Sequence, residues 1–202
     1  GLARMGLRPT LVGAVGEDFA DYRSWLERHG VDCDSVHTSA TLHTARFVCT
    51  TDSTLAQFAS FYPGAMSEAR MIELAPIVAR VGEPDFVLIG PDDPTAMTRH
   101  TEECRKRGYR FVADPSQQLA FGDGELIRGL VDGAAYLFSN EYESHLIEQK
   151  TGWSRDEVLS RVGIHVVTLG AAGVRIDQAG QASITVKACE VKAADPTGVG
   201  DA

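Results

Sequence analysis

The chain has 202 residues, 44% of them hydrophobic and 23% charged, a globular composition that excludes a disordered or fibrous protein. A single domain of this length buries roughly 70% of the surface its unfolded chain exposes, enough for a full hydrophobic core. Lys and Arg number 19 against 28 Asp and Glu, and the resulting formal net charge of -9 repels nucleic-acid phosphate. Apolar runs such as Phe86 to Gly90 hold about five residues, against about 20 for a membrane span, so neither nucleic acid nor a membrane is an expected partner. Cys33, Cys49, Cys104 and Cys189 are scattered, without a C-x-x-C pair or a His at metal-ligand spacing. They are expected to be reduced thiols of a cytoplasmic protein, and no secretory leader pattern opens the sequence. The six His residues are equally dispersed, and His165 at a strand start is expected to pack rather than to act.

In chain order, Leu11 to Gly16 is a short apolar run followed by Glu17-Asp18 and then by Phe19, Tyr22, Trp25 and Leu26 at helical spacing, a strand-turn-helix that Gly30 closes. Thr44 to Thr51 and Leu55 to Phe61 flank Asp52-Ser53-Thr54 as a β-hairpin outside the alternating pattern. From Pro63 the alternation is regular. A helix is expected from about Ser67 to Arg80, a strand over Phe86 to Gly90, a helix over Pro94 to Arg107 and a strand over Arg110 to Ala113. Next come a helix over Gly124 to Val131, a strand over Ala135 to Phe138, helices over Glu141 to Lys150 and Ser154 to Arg161, and a strand over His165 to Leu169. Gly173 to Asp177 and Ser183 to Lys187 form a second hairpin at the sheet edge. Such spacing predicts an α/β chain with right-handed βαβ units and a mainly parallel sheet. Gly1 to Gly6 resembles the tail of a helix and the last Gly-rich loop stops where a helix should begin, so a fragment truncated at both ends is expected.

In open α/β sheets ligands bind beyond the carboxyl ends of the strands, which directs attention to the loops there. Thr197-Gly198-Val199-Gly200-Asp201 places glycines where a backbone can approach an anion, with a carboxylate beside them to take a proton from an alcohol. The same residues also suit a tight turn with an Asp cap, and the loop alone leaves both readings open. Thr168-Leu169-Gly170-Ala171-Ala172-Gly173 after a strand suits the phosphates or ribose of a nucleotide, or an ordinary turn. Asn140 and Glu143 at a helix start suit Mg²⁺-bound water or phosphate, or a helix cap. Phe47 and Phe61 suit stacking on a flat base, or simple packing. Neither a G-x-G-x-x-G nor a Walker A string occurs, which argues against a nicotinamide domain and a P-loop kinase.

Asp195-Pro196-Thr197-Gly198-Val199-Gly200-Asp201-Ala202 resembles the D-T-x-G-A-G-D signature of the ribokinase-like (PfkB) carbohydrate kinases, and Asn140-x-x-Glu143 and Thr168 to Gly173 look like two further motifs of that family in the right order. The resemblance covers residues 1–202 as one partial kinase domain with lid strands at about 40–62. It implies a three-layer, doubly wound, mainly parallel sheet with a small β-hairpin lid. Thr44 to Phe47, Phe61 to Ala69 and Asp114 to Gln118 are similar to the adenosine kinases of actinobacteria, which implies transfer of the ATP γ-phosphate to the 5′-hydroxyl of adenosine in purine salvage. By that resemblance Asp201 is the base, the N–H groups of Gly198, Val199 and Gly200 form the anion hole, and Asn140 and Glu143 order Mg²⁺ and phosphate. Thr168, Leu169, Gly170, Ala171, Ala172 and Gly173 line the ATP site. Phe47 and Phe61 sandwich the adenine, Gln117 and Gln118 lie near it, and Asp195 helps to hold a monovalent cation such as K⁺. A sugar kinase acting on ribose or a ketose, and a non-catalytic nucleoside-binding protein, remain alternatives. The exposed edges of the lid strands imply a homodimer formed through the lids. The family's N-terminal sugar-binding strand and the helix after Asp201 are not in the sequence, so the 202 residues alone are expected to be inactive.

Overall fold

A computed structural model describes residues 1–52 and 57–190, and the chain divides into two compact units, Gly1–Glu73 and Leu74–Ala202. In the first unit β1 (Ala14–Val15) lies in parallel beside β2 (His37–Thr38), with α1 (Ala20–Arg28) between them in sequence. Val15, Phe19, Cys33 and Val36 form the core there, with Leu11, Leu26 and Val31 packed against it. Gly30 closes α1 as expected, because its φ of +83° is a conformation that an L side chain rarely adopts.

The hairpin is present as β3 (Arg46–Thr51) and β4 (Gln57–Tyr62), antiparallel with Phe47 opposite Phe61. Every residue of β3 is exposed. The expected helix over 67–80 is divided: a 3-10 helix spans Gly64–Met71, and α2 (Leu74–Val81) belongs to the second unit. Pro76 accounts for the division, since it lacks an N–H and its ring excludes a preceding turn, which confines it to the first turn of a new helix. The N–H groups of Leu74 and Ala75 in that turn donate to Glu103 Oε2 and Oε1, each at 2.9 Å.

The second unit carries β5 (Val87–Ile89), α3 (Pro94–Arg107), β6 (Phe111–Ala113), α4 (Gln118–Phe121), α5 (Gly124–Val131), β7 (Tyr136–Asn140), α6 (Glu141–Thr151), α7 (Arg155–Arg161), β8 (Ile164–Thr168), β9 (Val174–Asp177) and β10 (Ile184–Val186). β5, β6, β7 and β8 run parallel in sequence order, and β9 and β10 extend that six-stranded sheet antiparallel. Right-handed crossovers between neighbours that advance in one direction put α3, α5 and α6 on the same face, where α5 packs against both of the others. Alternation along β7 and β8 buries Leu137, Ser139, His165 and Val167, and leaves Phe138 exposed on the opposite face. Asp93 caps α3 by accepting the N–H groups of Thr95 and Ala96, with Pro94 at the first helical position. The expected α/β architecture, a mainly parallel sheet with a separate hairpin, is met.

Candidate functional site

Because β5, β6, β7 and β8 are parallel neighbours, their carboxyl ends bring the loops at 90–94, 114–118, 140–143 and 169–173 to one edge of the sheet. β7 runs two residues further than expected and ends on Asn140, which pairs in register with Thr168, the last residue of β8. Two motifs that lie 28 positions apart in the sequence are thereby side by side. Asn140 also starts α6: its Oδ1 accepts the Glu143 N–H at 2.8 Å, and Glu143 Oε2 accepts the Asn140 N–H at 2.8 Å. This is a capping box, so the cap reading of the pair is met. The cap engages Asn140 Oδ1 and Glu143 Oε2, leaving Asn140 Nδ2 and Glu143 Oε1 as the atoms with which an exposed helix N-terminus can hold phosphate or a hydrated cation.

The two glycines of the 168–173 turn exist for different reasons. Gly173 has φ +102°, and a Cβ there would lie 2.0 Å from the Val186 carbonyl oxygen, so the β10 backbone excludes a side chain. Gly170 has φ +55° and open space around a notional Cβ, so its requirement is conformational alone. Gly170, Ala171 and Ala172 form an exposed 3-10 turn closed by the Leu169 N–H on the Gly173 carbonyl at 2.8 Å. Exposed small residues let a ligand approach that backbone closely.

At the neighbouring strand ends, Gln118 Nε2 donates to the Asp92 carbonyl oxygen at 3.0 Å and ties the β5 loop to the β6 loop. Its amide nitrogen is therefore committed to the scaffold, while Gln117 is exposed. Ser116, between them and buried Pro115, has φ +40°, a conformation uncommon outside glycine and found at functional sites. Burial pushes the Asp92 carboxyl up, against the Asp93 N–H that it accepts at 2.7 Å.

Beneath Asn140, Ser139 Oγ and His165 Nε2 are hydrogen-bonded at 2.9 Å, both residues buried. Burial brings His165 down to about 4, although Asp177, directly opposite it on β9, opposes that change. Burial pushes Asp177 up, but the Ser183 hydroxyl and the Arg175 and Arg155 guanidiniums outweigh it and hold the carboxyl below its ordinary value. His165 is thus a satisfied, neutral core residue, as expected.

In the first unit, Phe47 and Phe61 are cross-strand partners, 63% and 55% exposed. Directly opposed residues share one face with Cβ atoms about 5 Å apart. The two side chains therefore project from the same exposed face of the hairpin. Asp195, Gly198, Val199, Gly200 and Asp201 lie outside the described residues. Among the described residues no group of three or more His, Cys, Asp or Glu is arranged to hold a metal ion, and all four cysteines are free. No helix of the described residues is long and apolar enough to cross a membrane. Asp18, in the Gly16-Glu17-Asp18 turn directly after a strand, binds Thr44 and Arg46 at the foot of the hairpin, a contact not expected from the sequence.

The family model described as pfkB family carbohydrate kinase matches residues 1–202. A protein named nucleoside kinase from Methanothermobacter thermautotrophicus is 31% identical over 210 residues, covering 98% of this chain and 64% of its own length. The solved structure of Burkholderia thailandensis nucleoside kinase in complex with inosine matches with a TM-score of 0.90 at 31% identity, over 99% of this chain and 66% of that one. A nucleoside kinase of Methanocaldococcus jannaschii, described as an archaeal member of the ribokinase family, shares the fold with a TM-score of 0.86 at 23% identity over 99% of this chain and 66% of that one. The chain thus spans just under two thirds of the relatives it matches. The ribokinase-like fold is as expected, and the relatives carry the broader name nucleoside kinase where the sequence suggested adenosine kinases of actinobacteria.

Proposed function

The chain belongs to the pfkB family of carbohydrate kinases, and on that premise we propose that the complete protein is an ATP-dependent nucleoside kinase acting on the 5′-hydroxyl of a purine nucleoside, with adenosine as the preferred acceptor. The supporting observation is the pairing of Asn140 with Thr168, which puts a capped helix N-terminus beside an exposed small-residue turn at the carboxyl edge of the sheet. Peptide N–H groups and a helix dipole there suit a polyphosphate. Mg·ATP supplies the transferable phosphoryl group and neutralises its charge. Mg²⁺ keeps water and phosphate ligands and takes few from protein, so one carboxylate suffices to position it. Glu143 holds that hydrated ion through Oε1, and Asn140 binds phosphate through its amide.

Thr168, Leu169, Gly170, Ala171, Ala172 and Gly173 line the nucleotide. Phe47 and Phe61 offer the base an aromatic wall, with Gln117 near the substrate and Gln118 holding its loop. Asp201 takes the proton of the attacking hydroxyl while the N–H groups of Gly198, Val199 and Gly200 stabilise the developing charge. Asp195 contributes to a monovalent cation site, K⁺ being the candidate. The exposed hairpin, apolar on both faces, pairs with its copy in a homodimer.

The test is ADP release by the complete gene product with Mg·ATP and, separately, adenosine, guanosine, inosine, ribose and fructose. Fastest turnover of adenosine is expected; a faster sugar would overturn the nucleoside reading. Asp201→Asn is expected to abolish turnover while adenosine binding stays within a few fold, and undiminished turnover would remove Asp201 from its role.

A further inference from the structure

The foot of the hairpin is held on both sides. Asp18 Oδ1 accepts the Thr44 N–H at 2.9 Å and the Thr44 hydroxyl at 2.7 Å, while Oδ2 accepts Arg46 Nη2 at 2.5 Å. The same Thr44 hydroxyl oxygen accepts the Gly16 N–H at 3.0 Å, so one side chain closes two bonds to the turn after β1. A Cβ on Gly16 would lie 2.4 Å from the Leu42 carbonyl oxygen and 2.7 Å from His43 Cα. On the other side, the His43 carbonyl oxygen accepts the Ala65 N–H at 2.9 Å, and a Cβ on Gly64 would lie 2.2 Å from that oxygen. Residues 42–44 are therefore threaded between two backbones with no room for a side chain on either. The Thr44 N–H first, then its hydroxyl and the Arg46 guanidinium, hold the Asp18 carboxyl far below the usual carboxylate range.

We propose that Asp18 is the positioning residue of the hairpin: through Thr44 and Arg46 it sets the angle at which β3 leaves its foot, and so the place of the Phe47–Phe61 wall against a nucleoside base. The steric channel around 42–44 fixes where the chain passes, but Gly16 and Gly64 make no bond to β3 itself. Arg46 is its first residue, immediately before Phe47, and its bond to Asp18 joins strand to turn. Three hydrogen bonds accepted by one carboxylate resist tilting of the strand in a way that packing of an exposed hairpin does not. Asp18 touches neither base nor phosphate in this role and acts only through the strand it holds.

The proposal rests on the nucleoside reading for its substrate, so the experiment carries a readout independent of turnover. In the complete gene product, Asp18→Ala and the milder Arg46→Met, at a site already exposed, are compared with the parent by hydrogen exchange and by steady-state kinetics. Faster exchange is expected at Thr44, Ala65 and along 46–51 and 57–62, with Leu137 and Val167 of the second unit unchanged. With adenosine as acceptor, KM for the nucleoside should rise about tenfold in Asp18→Ala and less in Arg46→Met, while kcat and KM for ATP stay within about threefold, the signature of lost binding rather than lost chemistry. Asp18→Glu, which keeps the charge, should recover part of that rise. Unchanged exchange in the hairpin overturns the proposal, as does faster exchange with an unchanged nucleoside KM, or parallel loss of both substrates together with a lower melting temperature. If no nucleoside is phosphorylated by the parent, the function reading fails and the exchange pattern alone decides whether Asp18 holds the hairpin.

Discussion

Asn140 and Glu143 form a capping box, and the proposed function gives the same pair a second role toward nucleotide and Mg²⁺. Each contributes one side-chain atom to the cap and retains another, so substitutions separate the two roles. Asn140→Ala removes the cap and should destabilise by about 1 kcal/mol as well as weakening nucleotide binding. Glu143→Gln keeps an oxygen for the Asn140 N–H but loses the charge; the expected result is a nearly unchanged melting temperature with a raised Mg²⁺ requirement, read from an activity titration with Mg²⁺. Equal loss of stability in both variants would reduce the pair to a cap. His165 carries a different expectation. Its ordinary value of 6.5 falls to about 4 in the native protein, so below 6.5 the unfolded chain takes up a proton that the folded one refuses. Stability should therefore decline as pH falls from 6.5 to 4 and contribute no further change below that, a total of about 3 kcal/mol. Urea denaturation across that window checks it, and His165→Gln, which keeps a partner for Ser139, should flatten the slope.

Elements were legible where a period and its end signals agreed. The helix expected over Pro94 to Arg107 has those bounds in the structure, where Asp93 caps its start and Gly108, left-handed, closes it. The division near residue 72 was not legible from periodicity, because apolar spacing continues through Pro76 although its missing N–H requires a new helix start. What completes that start is Glu103, on another helix and 28 positions from Ala75. Burial raises its carboxyl, and the Leu74 and Ala75 N–H groups with Arg107 more than reverse this, so the net displacement is downward. Glu103→Ala should lower the unfolding free energy by about 1 kcal/mol, seen as a lower melting temperature with intact β-sheet circular dichroism; an unchanged melting temperature would mean that water caps α2 equally well.

In the complete protein, the proposed dimer rests on the exposed apolar residues of the hairpin. Phe47 and Phe61 lie on one face, Val48, Phe58 and Tyr62 on the other, and all are exposed. A lone two-stranded ribbon is marginal in water, so one face covered by ligand and the other by a second copy would satisfy both. Phe58→Lys, placing charge on the face away from Phe47, is expected to convert a dimer to a monomer in light scattering while leaving the second unit folded. A parent protein that is already monomeric would overturn the pairing of lids.

What the sequence carried by itself was local: motifs at strand ends, helix caps, and a hairpin set apart from the alternating pattern. These follow from backbone sterics and period, which act within a few residues and so can be read along a sequence. Tertiary structure decided which distant residues meet. The register that joins Asn140 to Thr168, the cross-strand alignment that puts Phe47 and Phe61 on one face, and the bonds from Asp18 to Thr44 and Arg46 all depend on pairings across many positions. Such pairings are selected by burial and hydrogen-bond satisfaction of the whole sheet or turn at once, and a single strand or loop does not encode them.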